Sequence, residues 1–357
     1  MSVMDVVLGI DTSCYTTSVA AANRHGQVIG SHRMLLPVSN GERGLRQSEA
    51  VFAHIKQLPL TMKALSADLE RENARICAVA ASSAPREDAE SYMPVFVTGM
   101  SQANGLAHAL RVPCYSFSHQ QGHIAAGQID GKAMDDRFVA LHLSGGTTDL
   151  LLSDNGKLKQ LGGTLDLNAG QLVDRVGVAM GLPFPAGPAL EALAAGCSGA
   201  MGCPEAMGCP TATGCASVAG FPVKPKSVIP VSMEQGDLCC HFSGAEAKCK
   251  RMLAEEALHA ESALSMESIA LEVFDFLART VTRLIMAGCA KENVRQALVV
   301  GGVASSSLLR DMLEARLRKA GGTVGSPIEV VFGRPEYSGD NAAGIAVLGV
   351  RRYLAAS

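Results

Sequence analysis

The sequence predicts an α/β protein made of two lobes that follow one plan. Three observations carry the prediction. An apolar, β-branched run at 5–10 (DVVLGI) ends in a small polar turn, Asp11-Thr12-Ser13, then resumes as a second apolar run that reaches a hairpin turn at 23–27. The same plan recurs later: an apolar run at 138–143, the turn Ser144-Gly145-Gly146-Thr147-Thr148, a second run at 149–153 and a hairpin turn Asp154-Asn155-Gly156. Between and after these hairpins, runs with helical spacing alternate with short apolar runs, the order of an α/β fold.

The elements follow in order. Val51, Ile55, Leu58, Met62, Leu65 and Leu69 predict a helix over 48–70, and 76–82 reads as a strand. A small-residue helix is expected over 92–110, then a short strand at 112–115 leading into a helix that carries His119 and His123. A polar cluster follows the second hairpin: Asp166, Asn168, Gly170, Gln171 and Asp174, then Pro183 to Pro188. A helical stretch is expected from 239 to 253, and a long amphipathic helix over 265–286. The strand at 296–300 enters a Gly301-Gly302 turn and a helix over 308–319; a strand at 328–332 precedes Arg334 to Ala343 and a closing helix. Two lobes that each open with a hairpin whose first turn can cradle phosphate describe the actin-like, sugar-kinase-like (ASKHA) architecture, with duplicated RNase H-like lobes. The expected division is 1–118 with 338–357 as the first lobe and 119–337 as the second.

At 357 residues and 48% hydrophobic content the chain can fill two cores. A net charge of −3 does not announce a nucleic-acid binder, and with no Trp and 4% aromatic residues, stacking platforms for single strands are scarce. No apolar run of membrane-spanning length occurs and the start lacks a signal-peptide layout, so a cytoplasmic protein with no membrane partner is expected. Eleven scattered cysteines read as reduced thiols. Gly-Cys recurs every six residues within 196–220; zinc sites favour two close pairs, so this even ladder reads as a flexible insertion.

The chemistry-bearing residues cluster around the second hairpin. His119 and His123, at i and i+4, point from one helix face, the spacing two imidazoles need to share a metal ion; a satisfied pair is the plain alternative. Position 120 is Gln, so the carboxylate base of a zinc protease is missing, and a third ligand is not identified by spacing. The glycine turn after 143 offers bare backbone N–H groups to a phosphate. Asp174, among Leu172, Val173 and Val176, reads either as a partner of Arg175 or helix-end residue, or as an acceptor from a ligand hydroxyl. Asp340 reads as an N-cap of the closing helix.

Taken together, the blocks GIDTSC, GLRQSEAVF, HQQGH, LSGGTT, GGTLDLNAGQLVDRVGVAMGLPFPAGPAL, HFSGAEAK, GGVASSSLL and RPEYSGDNAAGIA resemble, in order and over nearly the whole chain, the tRNA threonylcarbamoyladenosine synthase family (TsaD/Gcp, formerly glycoprotease or peptidase M22). The resemblance implies one Fe2+ or Zn2+ ion on His119, His123 and Asp340. It implies that Leu143, Ser144, Gly145, Gly146 and Thr147 hold threonylcarbamoyl-AMP or an adenine nucleotide, that Asp174, Gly187 and Ser306 contact it, and that Asp11, Thr12 and Ser13 form an active-site phosphate loop. The implied reaction is transfer of threonylcarbamoyl to N6 of adenosine-37 in tRNAs that read codons beginning with A. The implied partners are tRNA, a TsaB-like non-catalytic paralogue and a TsaE-like ATPase. The chain departs from the family pattern at Tyr15 and Thr16 (an acidic pair), at Thr147 (His), at Ser306 (Asn), at Val173-Asp174-Arg175 (Phe-Asp-Lys) and near Glu246 and Lys248, where a family lysine is displaced. Those departures keep two alternatives in view: a paralogous carbamoyltransferase with another acceptor, and a non-catalytic nucleotide-binding scaffold.

Overall fold

The computed structural model describes residues 3–13, 15–37, 46–88, 91–196, 226–233, 238–258, 264–324, 327–339 and 341–356. They form two compact units. One is Met1–Asp136, Asp154–Leu158 and Val331–Ser357; the other is Arg137–Ser153 and Lys159–Val330.

The first unit opens with β1 (Met4–Thr12), β2 (Thr16–Asn23) and β3 (Val28–Leu35), an antiparallel meander. Helix α1 (Gln47–Arg71) leads to β4 (Ala74–Ala84), which lies parallel to β1, and α2 (Pro94–Leu110) to β5 (Cys114–Ser118), parallel to β4. Helix α3 (His119–Ala126) follows directly. The sheet order is β3-β2-β1-β4-β5.

The second unit repeats this plan. Strands β6 (Arg137–Leu143), β7 (Thr148–Asp154) and β8 (Lys157–Thr164) run in sequence, and turns of two to four residues leave neighbouring strands only the antiparallel arrangement. Helices α4 (Ala169–Ala179) and α5 (Gly187–Ala194), short strands β9 (Ser232–Met233) and β10 (Cys239–His241), and helices α6 (Ser243–Ala257) and α7 (Met266–Glu292) come next. The unit closes with β11 (Gln296–Val300), parallel to β6, then α8 (Ser307–Val324) and β12 (Glu329–Phe332). The order β12-β11-β6-β7-β8-β10-β9 contains β8-β7-β6-β11-β12, the counterpart of β3-β2-β1-β4-β5. The duplication expected from the two hairpins is therefore present in the topology. The chain ends in α9 (Ala343–Ala356), which belongs to the first unit.

Period-two alternation along β1 fixes which helices cover which face. Val6, Leu8 and Ile10 join Leu58 and Leu65 of α1 and Ala103 and Ala107 of α2 in one core; Val7 faces Ala126, Ile345, Ala346 and Val350 in the other. Helices α3 and α9 cross at two glycines: a Cβ on Gly344 would sit 1.9 Å from Gly122 O, so only glycine allows the approach. This crossing moves the expected boundary. The first unit runs through α3 to Asp136 rather than ending at 118, and regains the chain at Val331 rather than 338, because the histidine helix packs on the C-terminal helix.

In the second unit α7 is apolar on nearly every side and buried accordingly. Its buried carboxylates are satisfied. Glu272 accepts backbone N–H from Lys226, Ser227 and Val228, and Asp275 accepts from the Ser227 hydroxyl, Arg279 and Arg316. The helix expected from 239 begins at Ser243, since 239–241 pairs with β8 as a strand. Cys197 onward in the Gly-Cys repeat lies outside the described residues, as does Asp340.

Candidate active site

In the first unit, β1 carries its apolar run to Ile10 and then places Asp11, Thr12 and Ser13, all buried, at the strand's end. Thr12 is gripped by α2: its hydroxyl donates to Val95 O at 2.9 Å and accepts from Gly99 N at 3.1 Å. Ser13 N donates to Thr16 O, closing the turn. Beneath it lies buried His54, with Nε2 2.9 Å from Ser13 O and Nδ1 2.7 Å from the Thr17 hydroxyl. Burial pulls the His54 pKa below the usual imidazole value.

His119 is the first residue of α3, and its position is fixed by a capping box. The Ser118 hydroxyl accepts from Gln121 N, while Gln121 Oε1 accepts from Ser118 N. Its Nδ1 lies 2.9 Å from Asp11 Oδ1, and the Phe96 ring packs 5.8 Å away. One helical turn on, His123 is buried, and its Nε2 stands 3.0 Å from His119 Nε2. At this distance the rings share a hydrogen bond, and with that proton removed the two imidazole nitrogens face one position, a donor set that suits a divalent ion. Among the described residues no group of three His, Cys, Asp or Glu is assembled around a metal position.

The loop 11–13 is the first finding sequence reasoning read differently. Its side chains are turned inward, Asp11 toward His119 and Thr12 toward α2, so a phosphate there would meet backbone rather than these groups.

In the second unit the corresponding turn is open. Leu143 is buried at the end of β6, Ser144 N donates to Thr147 O at 2.8 Å, and Gly145 and Gly146 are exposed. The turn is braced by α4: Gly170 N donates to Ser144 O, and Ala169 N to the Thr148 hydroxyl. A cleft of about 380 Å³ opens beside it, lined among others by Gly145, Gly170, Asp174, Gly187, Gly302 and Ser306. Thus Gly145, Asp174, Gly187 and Ser306 of the expected set meet at one cavity.

Asp174 does not pair with Arg175, which reaches Glu246 instead at 3.3 Å. Its carboxylate accepts from Ala186 N at 2.8 Å, and burial raises its pKa. Ser306 accepts from Leu309 N as the cap of α8. Gly301, at φ +100°, passes so close to β6 that a Cβ would lie 2.2 Å from Leu143 O. Asp166 has a different task. Partial burial pushes its pKa up, but N–H groups of Phe242, Leu167 and Ser243 and the Ser243 hydroxyl outweigh this and hold it well below the usual range. It therefore braces the start of α6.

Glu191 also lines the cleft and accepts from the Ser307 hydroxyl and Leu308 N, at 2.8 and 2.9 Å. Sequence reasoning missed it, although it stands one helical turn after Gly187, on the same face of α5.

The family model for TsaD, tRNA N6-adenosine threonylcarbamoyltransferase, matches residues 39–347. A Thermus thermophilus protein named tRNA N6-adenosine threonylcarbamoyltransferase is 30% identical over 349 residues, covering 97% of this chain and 93% of its own length. The chain belongs to this family. A Nitrosomonas eutropha protein of the same name is 29% identical over 354 residues, with 97% of this chain and 92% of that protein covered. Among solved structures, full-length HypF in its phosphate- and nucleotide-bound form aligns at TM-score 0.57 and 10% identity, covering 98% of this chain and 46% of that one. The HypF of T. kodakarensis aligns at 0.56 and 14% identity, with 99% and 48% covered. With the duplicated sheets, these likenesses place the fold in the actin-like, sugar-kinase-like class. As a member of its family the chain is a transferase. No helix among the described residues is long and apolar enough to cross a membrane.

Proposed function

We propose that this transferase moves a threonylcarbamoyl group from threonylcarbamoyl-AMP to N6 of adenosine-37 in tRNA. The observation that carries the reading is the cleft of the second unit. Its volume of about 380 Å³ lies in the ligand-pocket range of roughly 300–1,000 Å³, and the exposed Gly145 of the turn and the half-buried Asp174 carboxylate both line it. The turn at 144–147 suits the phosphate, and Asp174, held by Ala186 N, suits a ribose hydroxyl.

His119 and His123 fit one Fe2+ or Zn2+ ion, with Asp340 as the third ligand the family resemblance implies. Such an ion would supply positive charge to a carbamoyl oxygen. In the covalent step the adenosine N6 bonds to the carbamoyl carbon, the bond from that carbon to the phosphate oxygen breaks, AMP leaves with the electron pair, and N6 gives up a proton. The chain's residues hold the leaving phosphate and fix the donor's geometry. A TsaB-like paralogue and a TsaE-like ATPase are the partners the family analogy offers.

A second reading, transfer to a different acceptor, is favoured by one feature. The Ser306 hydroxyl caps α8, so the position where the family carries Asn offers the cleft a shorter group already engaged.

The test is transfer of labelled threonylcarbamoyl from its adenylate to unmodified tRNA, with candidate partners present, for wild type and His123→Ala. His123-dependent labelling supports the reading. A wild type that binds adenylate and Zn2+ but labels no tRNA supports the second reading. A wild type that binds neither sinks both.

A further inference from the structure

We propose that Asp11 is the positioning residue of the histidine pair: it holds the proton of His119 on Nδ1 and so keeps Nε2 unprotonated, its lone pair directed as a metal ligand's would be. The inference rests on the reading of His119 and His123 as metal ligands.

Asp11 lies at the end of β1, fully buried, with Oδ1 2.9 Å from His119 Nδ1. An ionised carboxylate only accepts hydrogen bonds, so the proton in this contact belongs to the imidazole. A neutral His119 protonated at Nδ1 has its lone pair on Nε2, the atom 3.0 Å from His123 Nε2. Metal-ligating histidines regularly donate their other ring N–H to a carboxylate, which fixes tautomer and orientation and raises ligand basicity.

A second observation points the same way. Asp11 Oδ2 is buried and has no hydrogen-bond partner among the described residues. A buried carboxylate with one oxygen unsatisfied is costly unless positive charge stands nearby. A cation beside His119 would supply that charge through the ring.

The mounting is rigid on both sides. Asp11 pairs with Ser18 across β1 and β2, and the Ser18 hydroxyl donates to Asp11 O. The next residue, Thr12, is clamped to α2 by its two hydrogen bonds, and a Cβ on Gly99 would fall 2.6 Å from the Thr12 hydroxyl. His119 is locked by the capping box and by Phe96. Asp11 and His119 are thus presented to each other by elements that leave little freedom, as an orienting carboxylate requires.

The experiment uses the full chain with 15N-labelled histidine and Zn2+ alone as the probe. Long-range 1H–15N spectra of the metal-free protein, assigned with His119→Gln, report the His119 tautomer. Competition with a chelator reports Zn2+ affinity for wild type, Asp11→Asn and His123→Ala. The expected result is an Nδ1-protonated His119 in wild type, a mixed or reversed tautomer in Asp11→Asn, and Zn2+ affinity about 10–100-fold weaker in that variant. Wild-type affinity in a folded Asp11→Asn, with affinity lost in His123→Ala, overturns the role of Asp11 and leaves the metal reading standing. A wild type that binds no Zn2+ overturns the metal reading, and with it the purpose assigned to Asp11. An Nε2-protonated His119 in the wild type overturns the inference even where Asp11→Asn does not fold.

Discussion

The substitution Gly170→Ala tests whether the glycine turn of the second unit is part of the site. Gly170 is the second residue of α4, directly behind the turn. A Cβ there would stand 2.7 Å from both Cα and N of Gly145, and 2.9 Å from Ser144 C. All three are backbone atoms, so no side chain can swing away. Restoring an ordinary contact of about 3.4 Å requires the turn to shift by roughly 0.7 Å, and overpacking of this kind costs about 1–3 kcal/mol. Part of the cost will appear as a lower unfolding midpoint, and part as a displaced Gly145-Gly146 segment. Misplacement approaching 1 Å at a reacting centre costs on the order of 100-fold. We expect AMP affinity, measured by calorimetry, to fall roughly 5- to 100-fold, and transfer from threonylcarbamoyl-AMP to fall at least as far. The control is Gly105→Ala, at an exposed position of α2 with open space around its Cβ. It should leave both readouts unchanged and raise stability by about 0.5–1 kcal/mol. A Gly170→Ala protein that is folded and binds AMP as wild type would refute the assignment of the turn to nucleotide.

Two further outcomes follow from buried titratable groups. Burial holds the His54 pKa below its usual 6.5, so below about that pH the unfolded chain takes up a proton the folded one refuses. Stability should be fully present above pH 6.5 and decline as pH falls; denaturant titrations at several pH values should show a slope that is smaller by up to one proton in His54→Gln. The Cys240, Cys249 and Cys289 thiols are pushed up to about 12 by burial, so at pH 8 they should resist a thiol reagent in the native protein and react on unfolding.

What the sequence made legible divides along a physical line. Local patterns read well. The two strand–turn–strand units, the helix over 48–70, found at 47–71, and the strand at 296–300 rest on periodicity within a short window. The strand at 239–241 reads as the start of a helix in the sequence because three residues carry no period; its identity comes from the pairing of Cys239 with Gly163 and Cys240 with Thr164. The boundary between units was not legible either, since it depends on Gly122 meeting Gly344 across most of the chain. Of the two readings of Asp174, the pairing with Arg175 is absent for a geometric reason: adjacent helix residues point in different directions, so Arg175 finds Glu246 on α6 and Asp174 faces the cleft. The histidine pair was visible from its spacing, but the partner of its first member lies 108 positions away.

The two hairpin turns show why a duplicated fold need not duplicate a site. Both end the first strand of their unit, and they are short connections of equivalent topology, three residues in the first unit and four in the second. In the first, Asp11 places a buried negative charge against an imidazole, and Thr12 ties the backbone to α2. Such a turn repels an anion and favours a cation carried by its histidine. In the second, two exposed glycines carry no side chain over the backbone, beside a cleft and backed by the first turn of α4. That turn favours an anion. One backbone plan can serve two different tasks because the difference lies in which side chains the turn carries. Exchanging Asp11 for a glycine would therefore remove the histidine's partner without creating a second phosphate cradle, since the inward-facing Thr12 and the buried His54 beneath Ser13 would still hold the turn closed.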